Sequence, residues 1–90
     1  MATKIEHAYI ETVQEVQGGR PVIKGTRTPV RSIVVYHRLG AMPEEIQIKL
    51  PHLHLAQIYD ALSYYYDYRD EIDRDIDSDS EDKIKQEFGL

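Results

Sequence analysis

Apolar positions recur at helical spacing most clearly between His52 and Ile76. Leu55, Ile58, Leu62, Tyr65, Arg69, Ile72 and Ile76 follow one another at intervals of three and four, which puts all seven on one stripe of an α-helix. Only Arg69 is polar among them. Ala56, Asp60, Ser63, Asp67, Asp70 and Arg74 fall on the opposite face. No Gly or Pro interrupts the run, and Pro51 stands just before it, where a preceding helix must stop. At 1.5 Å per residue such a helix is roughly 30 Å long. The first half fits inside a small bundle. The second half, from Tyr65 to Ile76, needs something else to lie against, and a second copy of the chain is the simplest cover.

The rest of the chain is read against this helix. In residues 5–16 the alternation of Ile5, His7, Tyr9, Glu11 and Val13 predicts a half-buried strand, with a short helix as the alternative. Gly18, Gly19 and Gly25 then punctuate Pro21-Val22-Ile23, as in a hairpin or a strand followed by a turn. Thr28 reads as an N-cap with Pro29 at the first helical position, and Gly40 suits the left-handed residue past the helix end. Pro43-Glu44-Glu45 opens a second helix, with acids in its first turn where the dipole favours them. The predicted fold is mainly α: a trihelical helix-turn-helix bundle with an N-terminal β-strand or hairpin and a long third helix. Residues 1–76 form this domain. Residues 77–90 are dominated by Asp and Ser as far as Lys83 and read as an acidic, disordered tail.

Charge sharpens this division. The net charge of −5 is the sum of +2 over residues 1–55 and −7 over residues 56–90, and no acid occurs from Gln17 to Pro43. Such asymmetry fits a basic surface for a polyanion joined to an acidic tail, or else ordinary solvated surface. Ninety residues support one small domain with a thin core, for which oligomerisation would help. The chain has no cysteine, so disulfides, thiolate metal sites and a cysteine nucleophile are excluded. No apolar run approaches membrane-spanning length and nothing resembles a signal peptide, so the expected location is the cytoplasm.

Catalysis requires a nucleophile with its base, paired carboxylates or an open metal site. Ser32 and His37, five apart, do not share a helix face, and the acids crowd onto a solvated face and the tail. The expectation is no enzyme, no metal and no cofactor. The glycine-rich stretch lacks the GK[ST] that would cradle a nucleotide phosphate. His52 and His54 have no zinc spacing with other ligands and read as loop and cap residues.

Arg20, Lys24, Arg27, Arg31 and Arg38, with Lys49 as a further contact, are the candidates to meet DNA phosphates. His54, Gln57 and Ser63 at the start of the third helix are the candidates to read bases. Five of the seven tyrosines fall between Tyr59 and Tyr68. Tyr65, Tyr66 and Tyr68, with Arg69, Ile72 and Ile76, therefore form the predicted dimer or partner surface.

The segments GGRPVIKGTRTPV, IVVYHRLGAMPEEI and LPHLHLAQIYDALSYYYDYRDEID, in that order, resemble the small bacterial DUF433 family, from Gly18 to Ile76. Met42 and His54 depart from its usual oxygen-bearing caps, and each change removes about 1 kcal/mol of capping. The resemblance implies an antitoxin-like, DNA-binding half of a toxin–antitoxin pair, repressing its own operon and neutralising a PIN-like nuclease. The alternative is a protein-interaction module, built on the same helices, that does not bind DNA.

Overall fold

The computed structural model describes residues 7–78. Two short strands, β1 (Ile10–Thr12) and β2 (Pro21–Ile23), pair antiparallel with Ile10 opposite Ile23 and Thr12 opposite Pro21. Four helices follow: α1 (Val30–Arg38), α2 (Pro43–Lys49), α3 (Leu55–Asp67) and α4 (Arg69–Ser78). The protein is mainly α with a two-stranded hairpin in front, and the strand reading of the N-terminal region holds over Ile10–Thr12.

The hairpin feeds directly into α1. Val22 bridges Pro29, and the Ile23 N–H donates to the Thr28 carbonyl at 2.9 Å. That bridge holds Pro29 extended, at φ −73° and ψ 150°, so Pro29 rather than Thr28 occupies the N-cap position. The Thr28 hydroxyl lies instead 2.7 Å from His52 Nε2. At the other end of α1, Gly40 adopts φ +95°. Its N–H donates to the His37 carbonyl and that of Ala41 to the Tyr36 carbonyl, both at 3.0 Å. This pair of bonds is the Schellman closure that a glycine in the left-handed region permits.

α1 packs against β2, α2, α3 and α4, and its residues from Val30 through Tyr36 are all buried. The core joins Ile23, Ile33 and Val34 to Ile46, Leu53, Ile58, Ala61 and Tyr65. Leu62 lies on the buried stripe as its spacing predicts, while Leu55 at the helix start is half-buried.

The predicted long helix is broken at Tyr68, which takes φ −125° and ψ 40°. α4 turns back to pack on both α1 and α3. Ile72 and Ile76 are 3% and 6% exposed and belong to the same core as α1 and α3. The chain itself thus covers the stripe for which a second copy was invoked. Neither Gly nor Pro makes the break. Burial of two isoleucines stabilises it by roughly 1.5–3 kcal/mol each, and the Tyr65 hydroxyl donates to Asp73 of α4 at 2.9 Å. Asp77 and Ser78, placed in the tail by sequence, complete α4, and residues 79–90 lie outside the described residues.

Candidate nucleic-acid interface and partner surface

α2, the turn through Leu50–His54 and α3 form the helix-turn-helix. Leu53 anchors the turn in the core, and its carbonyl accepts from the Gln47 side chain at 3.2 Å. Neither Met42 nor His54 has a side-chain cap bond of the usual kind, yet half of each reciprocal cap persists. Glu45 Oε1 accepts from the Met42 N–H at 2.9 Å, and Gln57 Oε1 accepts from the His54 N–H at 2.6 Å. These bonds satisfy one orphan donor at each helix start. The bond to the His54 N–H uses one of the two lone pairs of Gln57 Oε1, and its side-chain NH2 is not part of the cap.

The Thr28–His52 contact ties the loop after β2 to the helix-turn-helix turn. Lys24 and Arg27 on that loop are exposed, as are Lys49, His52 and His54. Among the described residues no carboxylate pairs with Lys24, Arg27 or Lys49. The other predicted phosphate contacts are differently placed. Arg20 Nε donates to Asp75 of α4 at 2.8 Å. Arg38 pairs with Asp77 at 3.3 Å and stands 3.8 Å from Asp73. Arg31 is only 7% exposed and is not displayed to a phosphate. Arg31 is thus buried while Arg38, two turns further along α1, is exposed.

The predicted partner residues divide in the same way. Tyr66, Tyr68 and Arg69 are exposed, whereas Tyr65, Ile72 and Ile76 are core. Arg69 lies over the rings of Tyr65 and Tyr66, 5.8 Å from each centroid, and 3.6 Å from Asp73. Asp73 is the hub that α3, α1 and α4 share. Burial raises the Tyr65 pKa, and the bond to Asp73 adds to the effect. The Tyr66 hydroxyl lies 2.7 Å from His37 Nε2, and the Tyr59 hydroxyl donates to Glu44 at 3.4 Å. The α1–α2 turn, with exposed Leu39 and Met42, therefore sits beside α3 between Tyr59 and Tyr66. Sequence periodicity did not single out this patch, because Leu39 and Met42 lie outside any helical stripe.

His7 was also missed as a site residue. Its Nδ1 lies 3.1 Å from Asp60 Oδ1 and its Nε2 2.8 Å from Asp67 Oδ2, with only 8% of the side chain exposed. The one signal in the sequence was the spacing of Asp60 and Asp67, two helical turns apart on one face. No group of three or more His, Cys, Asp or Glu residues suited to a metal ion occurs among the described residues. No helix among them is long and apolar enough to cross a membrane.

These features define a mainly α protein built on a helix-turn-helix with a hairpin at its front. The family model described as a protein of unknown function, DUF433, matches residues 10–65, and the chain belongs to that family. It is similar to the crystal structure of a DUF433 member protein from Anabaena variabilis, with 34% identity and a TM-score of 0.70. The match covers 76% of this chain and 67% of that one. No curated protein matches.

Proposed function

We propose that the chain is an antitoxin-like DNA-binding protein that docks the α2–α3 end on duplex DNA. In this reading it represses its own operon and holds a PIN-like nuclease through a separate surface. One observation carries it: among the described residues no carboxylate pairs with Lys24 or Arg27, on the loop that Thr28 ties to His52, or with Lys49 at the end of α2. Asp75 and Asp77 of α4 are engaged with Arg20 and Arg38. Phosphate contacts of this kind fix orientation, and His54 just before α3 and Gln57 and Ser63 on it are the candidates to read base edges. Anisotropy titrations with the duplex upstream of the gene test it. Binding tighter than to random duplex of equal length is expected, and equal affinity for the two would remove the operator role.

A second reading has its own support. Leu39, Met42, Tyr59 and Tyr66 are large and exposed around the α1–α2 turn, and tyrosine and methionine are enriched where proteins meet. In this reading the patch holds a protein, the toxin or a second copy, and DNA is not bound. Retention of a protein partner by a chain that ignores its upstream duplex at low salt favours it.

A further inference from the structure

The N-terminal segment meets α3 through a short series of polar contacts. His7 sits between Asp60 and Asp67, at 3.1 and 2.8 Å, edge-on to the ring of Tyr64 with centroids 5.1 Å apart. The second oxygen of Asp60 accepts from the Tyr9 N–H at 2.8 Å. The Tyr9 carbonyl in turn accepts from the Lys24 N–H at 2.7 Å. Asp60, the Tyr9 peptide and Lys24 thus connect α3 to the loop that carries Lys24 and Arg27. Glu11 reinforces that loop by accepting from the Gly25 N–H at 3.2 Å.

Both ring nitrogens of His7 face carboxylate oxygens. An imidazolium donates from both, whereas a neutral ring carries one proton and must present a lone pair to one of the carboxylates. The arrangement is complete only with His7 charged. We propose that His7 is a pH-operated latch: as imidazolium it fastens the N-terminal segment, and through it the Lys24–Arg27 loop, to α3, and its deprotonation loosens that hold.

The groups facing His7 agree with this direction. Asp60 and Asp67 supply negative charge from α3. Tyr64 stays protonated, its pKa raised first by burial and then by Glu71 of α4 and by Tyr68. Tyr68 stands edge-on at 6.4 Å. For His7 itself, burial works against the charged form, but the hydrogen bonds to Asp60 and Asp67 and their charges outweigh it, so its pKa lies above the ordinary 6.5. A histidine whose native pKa is raised contributes stability that is complete below the unfolded value and is lost as pH rises through the native one. The latch is therefore closed on the acid side and opens on the alkaline side, with about a tenfold change in its equilibrium for each pH unit between the two pKa values.

The latch is testable without DNA. In the full chain, proton–nitrogen correlation spectra across the pH range should show the His7 ring titrating above 6.5, assigned by its disappearance in His7→Gln. Exchange of the Tyr9 and Lys24 amides should accelerate through that titration beyond the intrinsic rise with pH. His7→Gln should remove the extra acceleration. Asp67→Asn should move the His7 titration back towards 6.5 while leaving the fold intact. A ring that titrates at or below 6.5, or amides that follow the intrinsic curve throughout, overturns the proposal. Its consequence for the basic loop rests on the DNA reading: upstream duplex should then bind less tightly above the titration, and His7→Gln should flatten that dependence. Absence of duplex binding at every pH, with the titration and exchange as expected, strikes the DNA reading and leaves the latch standing.

Discussion

Arg27 and Arg31 are four residues apart, yet the first stands in solvent and the second is enclosed among the elements packed on α1. Their substitutions should therefore separate cleanly. Arg27→Ala should shrink the slope of log affinity against log salt by about one unit with little change in melting. Arg31→Ala should instead lower stability by roughly 1–3 kcal/mol in urea titrations, since a buried side chain loses its packing and polar contacts. His7 gives the other prediction at this scale. Because its native pKa is raised, His7→Gln should lower the melting temperature most below 6.5. The difference from the parent should vanish as pH passes the native value. Both roles are hard to see in sequence. An arginine looks the same whether a helix passes over it or not, and His7 meets its carboxylates 53 and 60 residues later.

At the scale of elements, the stripe from Leu55 to Ile76 was legible almost position by position. Ile58, Leu62, Tyr65, Ile72 and Ile76 are all buried, as three-and-four spacing requires. What spacing does not encode is whether the two halves are collinear, because a stripe keeps its register across a bend of one residue. Asp70 and Glu71 carried the only hint, as acids in the first turn of a new helix. The break changes the outcome of a double substitution. Ile72→Asp with Ile76→Asp should destabilise the chain itself by at least about 3 kcal/mol, with loss of helical signal and an earlier urea midpoint. A straight helix with an external cover would leave the domain before Tyr65 folded and only its association state altered. At the helix starts after Met42 and His54, Glu45 and Gln57 each accept a bond from the N-cap N–H, which offsets part of the cost of an N-cap without a hydroxyl or carboxylate.

For the whole molecule, charge was legible as a split along the chain, basic before Leu55 and acidic after it. Folding redistributes it. α4 returns Asp73, Asp75 and Asp77 to Arg38 and Arg20, so part of the basic stretch is neutralised from within. Among the described residues Lys24, Arg27 and Lys49, like Arg74 of α4, have no carboxylate partner, and the Thr28–His52 contact links the loop that carries Lys24 and Arg27 to the turn after Lys49. Family membership was legible because glycine- and proline-punctuated motifs are local. A binding surface is not local, since it depends on which charges the fold has already paired. The salt dependence of affinity for the upstream duplex tests the account most directly, measured for the parent and for a variant carrying Lys24→Ala, Arg27→Ala and Lys49→Ala. Three phosphate contacts per protomer predict a slope of about −3 for the parent, falling close to zero in the variant. A parent that does not bind at low salt, or a slope unchanged by the three substitutions, would contradict it.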